Sequence, residues 1–175
     1  MKIVPTADPV PQQIIVDDVD YARMIDHKWY LHKNNRPRAR MFLHAIMYDP
    51  GTNSIVVNTK STKTAQQIPA DRFILRLTHY TNVKIVHPPG GLLYNINGDQ
   101  LECRRAFMSK EQRDVAYPMY IGTKQITNGK WYAYDEVDGF ISDAFEYQES
   151  AARAYDLYVV KKYPYRARTN FYYNL

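Results

Sequence analysis

The chain has 175 residues, enough for one domain or for two small ones. It carries 23 Lys and Arg against 18 Asp and Glu, a net charge of +5, which allows a nucleic-acid partner without requiring one. The 45% of apolar residues argues against disorder, and no apolar run approaches the roughly 20 residues of a membrane-spanning helix. The single cysteine, Cys103, excludes an internal disulfide and any zinc site built from several cysteines. A reducing cytoplasm fits this cysteine content, and the N-terminal residues show no signal-peptide core.

In chain order, the N-terminal part is expected to contain short strands and one short helix. Prolines and the lack of periodicity predict an extended arm at the start, and Asp17 or Asp18 is placed to cap the helix. The predicted elements are an arm over 1–13, a strand over 13–16, a helix from 18 to about 25, a strand over 28–32 and a turn over 33–35.

Three arginines follow that turn at alternate positions. Arg36, Arg38 and Arg40 would lie on one face of an extended segment, and Pro37 allows this only in an edge strand. Guanidinium groups in such a row can neutralise phosphates and gain salt-dependent affinity for nucleic acid. The alternative is an ordinary solvated basic face.

The remaining elements follow from apolar spacing. Phe42, Leu43, Ile46 and Met47 have helical spacing, and Asp49-Pro50-Gly51 ends that predicted helix. The clearest helix is predicted over about 148–162, where alanines and tyrosines follow the 3.6-residue period. The other predicted elements are strands over 54–57, 73–77, 83–86, 130–134 and 139–142, with a break at 88–91.

Charge and tyrosine are both distributed unevenly. Residues 21–50 hold six basic and two acidic side chains, a net of +4, whereas residues 116–149 hold two basic and six acidic ones, a net of −4. The chain has 16 Tyr against 6 Phe and 2 Trp, and many of the tyrosines lie in the C-terminal third. An anionic ligand is therefore expected to meet only part of the surface.

Three groups of segments carry a resemblance to a known family. The first group is 15–21, 28–31 and 43–47; the second is Asn95-Ile96-Asn97-Gly98-Asp99-Gln100-Leu101-Glu102-Cys103-Arg104-Arg105; the third is Gly129-Lys130-Trp131, 145–156 and Thr169-Asn170-Phe171. In this order and at these spacings they resemble phage and intron homing endonucleases of the HNH type. The members in question carry a DNA-binding domain of the plant ethylene-response-factor (ERF) type at the C-terminus.

This resemblance implies an α+β protein with two parts. Residues 1–117 would form a degenerate HNH module, of the ββα-metal type, with an insertion at about 52–92 that matches nothing in the family. Residues 118–175 would form an ERF-like domain, a three-stranded sheet followed by a helix.

The residues that the family uses for catalysis are replaced. An HNH site uses a histidine as general base and one divalent metal ion. Tyr94 and Asn95 stand where the family has its Asp-His pair, Phe107 replaces the hairpin asparagine, and Arg113 stands near the remaining metal-ligand position. Asn95 takes no proton near neutral pH, and a phenol is a poor ligand for magnesium. The resemblance therefore predicts no catalytic residue, metal ligand or cofactor, and it makes Cys103 a buried structural thiol.

The residues that would contact DNA are only partly retained. The resemblance implies that Arg104, Arg105 and His44 lie near the DNA backbone, and of the ERF reading surface Lys130 and Trp131 remain. The rest of that surface is acidic and rich in tyrosine, which opposes phosphates and suits a protein partner. These partner candidates are Tyr132, Tyr134, Asp135, Glu136 and Asp138.

Three functions are compatible with this pattern. The first is a catalytically inactive HNH-derived protein of a phage or mobile element that binds double-stranded DNA. The second is a phage protein that inhibits or redirects a host protein, such as a defence nuclease, a restriction or CRISPR factor, or RNA polymerase. The third is an active nuclease with an atypical site, for which His87, Asp99 and Glu102 are the available substitutes. Each would act in the cytoplasm of an infected bacterium, with no membrane partner.

Overall fold

The computed structural model describes residues 1–32, 36–81, 94–95, 100–103 and 120–175, with only the backbone described at 94–95 and 100–102. Over these residues the chain forms helices and strands in mixed order, which confirms the α+β class. The described residues form two compact units. Unit 1 draws them from 1–43, 65–75 and 84–113, and unit 2 from 44–64, 76–83 and 114–175.

The strands and helices of the described residues are as follows. The strands are β1 (Lys2–Pro5), β2 (Gln13–Val16), β3 (Trp29–His32), β4 (Arg36–Leu43), β5 (Ile46–Asp49), β6 (Ser54–Val57), β7 (Thr64–Pro69), β8 (Tyr94–Asn95), β9 (Gln100–Glu102), β10 (Thr123–Gln125), β11 (Trp131–Asp135) and β12 (Phe140–Ile141). The helices are α1 (Asp18–Ile25), α2 (Ala70–Leu75) and α3 (Gln148–Lys162). The predicted turn at 33–35, strand at 83–86, break at 88–91 and domain boundary at 117/118 lie outside the described residues.

One sheet of unit 1 has the strand order β1-β2-β9-β8. The predicted strand over 13–16 is confirmed as β2, which pairs antiparallel with β1 and parallel with β9. Ile14 and Val16 alternate into the core. The predicted N-terminal arm is extended over β1, but it is not loose, because Val4 is buried and β1 pairs with β2 along its whole length.

The second sheet of unit 1 has the order β3-β4-β7 and rests on an apolar core. Trp29 is completely buried, its ring meets that of Phe73 edge to face at 5.4 Å, and its Nε1 donates a 2.8 Å hydrogen bond to the carbonyl of Met24. The predicted short helix is confirmed as α1. Its buried residue Met24 contacts the β3–β4 hairpin through the hydrogen bond from Trp29. These contacts hold the hairpin rigid.

Two predictions about β4 and its continuation were wrong. The helix predicted from Phe42 to Met47 is the end of β4 and the start of β5, because Leu43 is buried while Phe42 is 57% exposed, the two-residue alternation of a strand. The Asp49-Pro50-Gly51 stop belongs to the turn of the β5–β6 hairpin. Pro37 does not mark an edge strand either, since β4 lies between β3 and β7. The proline is the second residue of β4, near a strand end, where its missing N–H is tolerated.

A third prediction was wrong at residues 73–77. The strand predicted there begins inside α2, whose neighbouring residues Phe73 and Ile74 are both buried. A short apolar run reads alike as a buried strand or a buried helix, and periodicity cannot separate the two. The other strand predicted within the 52–92 insertion and described by the structure, at 54–57, is confirmed as β6.

In unit 2, β10, β11 and β12 form an antiparallel sheet that packs against α3. The strands predicted over 130–134 and 139–142 and the helix predicted over 148–162 are confirmed. Ala133 of the sheet and Ala151 and Ala152 of the helix are buried, and such small side chains allow a close approach. Gly122 is obligatory here, because its φ is +67° and a Cβ would lie 1.9 Å from the ring of Tyr155.

The described part of the predicted 52–92 insertion divides between the two units. In unit 2 the β5–β6 hairpin packs against α3, and Leu77 forms a β-bridge with Phe171 of the C-terminal segment. The Thr78 hydroxyl donates a 2.6 Å hydrogen bond to the carbonyl of Thr169. The C-terminal segment is therefore held by residues that come from the predicted insertion.

A buried carboxylate ties this C-terminal segment to α3. Asp156 is completely buried and accepts hydrogen bonds from the backbone N–H groups of Asn170 (2.7 Å) and Phe171 (3.1 Å). The Asn170 amide (2.9 Å) and the Tyr173 hydroxyl (3.0 Å) also donate to it. Burial raises the pKa of Asp156 to about 7, and the four donors oppose that rise.

Candidate nucleic-acid interface

The arginines of β4 lie on one face of the strand, as their spacing predicts. Alternate residues of β4 are buried, so Arg36, Arg38 and Arg40 point to the opposite side. The buried residues are Pro37, Ala39, Met41 and Leu43. The side with the arginines is the outer side of the β3–β4 hairpin.

Aromatic rings stand beside these arginines, one across the hairpin and one further along β4. Tyr30 of β3 lies directly opposite Arg38 in the antiparallel register and is 45% exposed. Phe42 follows Arg40 on the same side of β4, and the Arg40 guanidinium carbon lies 5.3 Å from the Phe42 ring centroid. We call Tyr30, Arg38, Arg40 and Phe42 the basic–aromatic face. Its rings and cations are within reach of one ligand.

Arg36 has a different role from the other two arginines. Its guanidinium forms an ion pair with Asp71 of α2, whose side chain is completely buried. A buried carboxylate needs such a partner, because an uncompensated charge in the interior is costly. The cation of Arg36 is therefore largely committed inside unit 1. Of the other two arginines, Arg40 is exposed and Arg38 is half-buried with its Nε covered, so Arg40 is the most accessible cation of the face.

Only part of the segment that resembles an HNH motif lies in the described chain. Tyr94 and Asn95 form β8 and pair with Glu102 and Leu101 of β9. Cys103 follows β9 and is buried, as predicted, and burial holds the pKa of its thiol well above the usual value. Over the residues that the structure describes, no three His, Cys, Asp or Glu side chains are grouped to hold a metal ion. The predicted site residues and candidate substitutes that lie outside the described residues are His87, Asp99, Arg104, Arg105, Phe107 and Arg113.

His44 belongs to unit 2 and makes hydrogen bonds that fix the hairpin there. Its Nδ1 lies 2.9 Å from the carbonyl oxygen of Ser61, and its own carbonyl accepts a 2.6 Å hydrogen bond from the Asn174 amide. The structure thus gives this histidine packing contacts within unit 2.

Lys130 and Trp131 were predicted to retain the DNA contacts of an ERF sheet. The Lys130 ammonium pairs with the Glu146 carboxylate at 2.9 Å. Trp131 forms a β-bridge with Phe145 through two backbone hydrogen bonds, and alternation puts its side chain on the Ala133 side of β11, which packs against α3. Trp131 therefore does not share the outer side of the sheet with Tyr132, and the charge of Lys130 is paired with Glu146.

The outer side of the unit 2 sheet carries two of the predicted partner residues. Tyr132 lies opposite Lys124, and Tyr134 lies opposite Ile141, which is 69% exposed. The two tyrosine rings are 6.1 Å apart and border a shallow concavity of about 200 Å³. We call Lys124, Tyr132, Tyr134 and Ile141 the tyrosine face.

The acidic residues of this sheet are used differently from one another. Asp138 accepts hydrogen bonds from the hydroxyls of Tyr158 (2.9 Å) and Tyr163 (2.5 Å) and pairs with Lys162. Hydrogen bonding to Lys162 and to the two phenols lowers the pKa of Asp138 to about 2. Asp135 accepts a hydrogen bond from the backbone N–H of Val137, and Glu136 is exposed at the turn. Asp138 therefore fastens the β11–β12 turn to the end of α3.

Sequence reasoning missed Tyr30, Phe42 and Ile141 as members of these faces. The signal for Phe42 was available, because the alternation that unites the arginines continues through residue 42. Tyr30 and Ile141 are placed by cross-strand register, which depends on the hairpin turn and cannot be read from one strand alone.

Comparisons of the chain with family models, with curated proteins and with solved structures find no match. None of the helices in the described ranges is long and apolar enough to cross a lipid bilayer.

Proposed function

We propose that the chain binds double-stranded DNA through the outer side of the β3–β4 hairpin and does not cut it. The observation that carries the proposal is that Arg40, which is exposed, and Arg38, which is half-buried, lie on one side of a strand whose other side is packed into the core. A rigid row of guanidinium groups suits the regular spacing of phosphates, and Arg binds phosphates through two donors at once.

The proposal that the protein does not cut DNA is supported by the chemistry of Tyr94 and Asn95. An amide takes no proton near neutral pH, so Asn95 cannot serve as a general base, and the phenol of Tyr94 is a weak ligand for a hard cation. On this proposal the chain is a phage or mobile-element protein derived from an HNH homing endonuclease.

The proposed origin of the C-terminal part is supported by the order of its elements. A three-stranded antiparallel sheet, β10 to β12, precedes the alanine-rich helix α3, and the Thr169-Asn170-Phe171 segment then packs back against that helix. An ERF-type domain has this sequence of elements by the resemblance stated above. The proposed setting is the cytoplasm of an infected bacterium.

The DNA proposal is tested by gel-shift titration with a labelled duplex at low and at physiological salt. The Arg38→Ala/Arg40→Ala variant is expected to bind more weakly and with a salt slope less steep by about two, since each phosphate contact contributes about 0.9. Lys60→Ala/Lys63→Ala is the matched control, because it removes the same charge from other exposed positions. Equal losses in the two variants would show only a net-charge effect and would refute the proposal.

A second candidate function is supported by the tyrosine face. It turns two phenol rings and an exposed isoleucine outward beside Lys124, the composition of a protein-binding surface and not of a phosphate-binding one. On this alternative the chain inhibits or redirects a host protein such as a defence nuclease or a polymerase.

The second candidate is tested by affinity purification from infected cells, with and without nuclease treatment. A host protein that stays bound after nuclease treatment and is lost in Tyr132→Ala/Tyr134→Ala supports direct contact. Tyr165→Ala removes another highly exposed tyrosine of unit 2 and should leave that host protein bound. Loss of every partner on nuclease treatment would leave DNA as the bridge and eliminate this candidate.

A further inference from the structure

The basic–aromatic face exposes more ring surface than phosphate binding requires. Phe42 is 57% exposed and Tyr30 is 45% exposed, although the opposite side of the same sheet buries Trp29 completely. We infer that this face binds DNA that carries unpaired bases beside a duplex, with Tyr30 and Phe42 stacking on the bases and Arg38 and Arg40 holding the phosphates. The inference rests on the proposed function and names the kind of DNA that it recognises.

The spacing of the rings fits a strand of nucleic acid laid along β4. Tyr30 lies opposite Arg38, and Phe42 is four residues further along, about 13 Å at the rise of a β-strand. A guanidinium group stands beside each ring, Arg38 across from Tyr30 and Arg40 next to Phe42. The two rings thus lie at the ends of the face with Arg40 between them, so an extended strand of nucleic acid can place a base on each ring and phosphates between them.

Unpaired bases are favoured over paired ones for a physical reason. Within a duplex both faces of each base are covered by its neighbours, so an exposed protein ring finds no base surface to stack on. At a gap or a flap the unstacked bases offer that surface, and stacking on an aromatic side chain is favourable for any base sequence. An intact duplex would satisfy Arg38 and Arg40 and leave both rings in water.

Substitution of the rings separates this inference from the proposed function. Fluorescence anisotropy with the full chain would compare three probes of one sequence: an intact duplex, the same duplex with a short single-stranded gap, and the single strand alone. The gapped probe is expected to bind more tightly than the intact one. Tyr30→Ala/Phe42→Ala should weaken gapped binding by at least roughly 5- to 150-fold, the range for one stacked base, because it removes both stacking rings, with little change for the intact duplex.

Two control variants test for misfolding and for nonspecific binding through exposed rings. Tyr30→Phe/Phe42→Tyr keeps both rings and should retain the preference for the gap, whereas Tyr165→Ala removes an exposed ring elsewhere and should not alter it. Equal affinity for gapped and intact duplex, or a gap preference that survives Tyr30→Ala/Phe42→Ala, overturns the inference while arginine-dependent duplex binding keeps the proposed function. If the chain binds none of the three probes, both the inference and the proposed DNA-binding function are overturned.

Discussion

Each unit presents one side of a small antiparallel sheet to solvent, and the two sides differ in chemistry. In unit 1 the basic–aromatic face sets Arg38 and Arg40 beside two rings. In unit 2 the tyrosine face sets Lys124 beside two phenols and an isoleucine. The net charge of +5 describes neither surface, because recognition depends on which charges share a side of a sheet.

The two faces also rest on different supports. The β3–β4 hairpin is held by apolar packing around Trp29 and Phe73, and such packing tolerates volume-conserving apolar exchanges at a cost usually below about 1.5 kcal/mol. The segment that completes unit 2 is held to α3 by Asp156, a single buried carboxylate with four donors. Loss of that acceptor leaves several buried N–H groups unpaired at once, so unit 2 is the more sensitive to one polar change.

The largest expected effect is therefore from Asp156→Ala. Its free energy of unfolding should fall by about 3 kcal/mol or more, because unsatisfied buried donors each cost about 1–3 kcal/mol. Urea denaturation followed by circular dichroism would measure this loss, with Asp143→Ala as the exposed acidic control. A loss no larger than that of the control would mean that the network around Asp156 does not hold the C-terminal segment.

A smaller effect is expected from charge reversal, which tests which of the two faces binds DNA. Arg40→Glu should weaken duplex binding at low salt and make the salt dependence less steep by at least about one, since a phosphate contact is replaced by repulsion. Lys124→Glu makes the same charge change on the tyrosine face and should leave DNA affinity nearly unaltered. If Lys124→Glu has the larger effect, the DNA-binding surface lies in unit 2 and the assignment of the faces is reversed.

The sequence predicted those features that depend on local alternation. The shared side of Arg36, Arg38 and Arg40 follows from a two-residue period, and α3 follows from a 3.6-residue period, so both were available from the chain alone. Helix α2 could not be predicted in this way, because Phe73 and Ile74 form an apolar run that is equally typical of a buried strand.

Partners that are distant in sequence were also beyond prediction. Arg36 was taken for a phosphate ligand, but it pairs with Asp71, which lies 35 positions away. Asp138 was taken for an acidic residue open to a partner, but α3 and the residue after it bring three hydrogen-bonding groups to its carboxylate. Charge patterns along one segment show which groups exist, and only tertiary contact decides which of them stay available.

The smallest expected effect is a change in stability at acidic pH that depends on the carboxylate of Asp138. The pKa of Asp138 is about 2 in the folded protein and about 3.9 in an unfolded chain. A lowered folded-state pKa means that its contribution to stability is complete above about pH 4 and is lost as the pH falls through 2. Asp156 is protonated in the folded state throughout that window, since its folded-state pKa is raised to about 7, and it adds a slope of opposite sign only near pH 4, where the unfolded carboxyl is still partly ionised. That contribution is the same in the parent chain and in an Asp138 variant, so it cancels when the two are compared.

Thermal unfolding between about pH 4 and pH 2 would then compare the parent chain with Asp138→Asn. Asparagine can still accept from the hydroxyls of Tyr158 and Tyr163 but has no charge for Lys162, so the variant should begin less stable and lose less on acidification. The two curves should converge at the acid end, because protonation removes from the parent the same charge that the substitution removes. Parallel curves across the window would mean that Asp138 titrates normally and does not fasten the β11–β12 turn to α3, which would leave its carboxylate available on the acidic rim beside the tyrosine face.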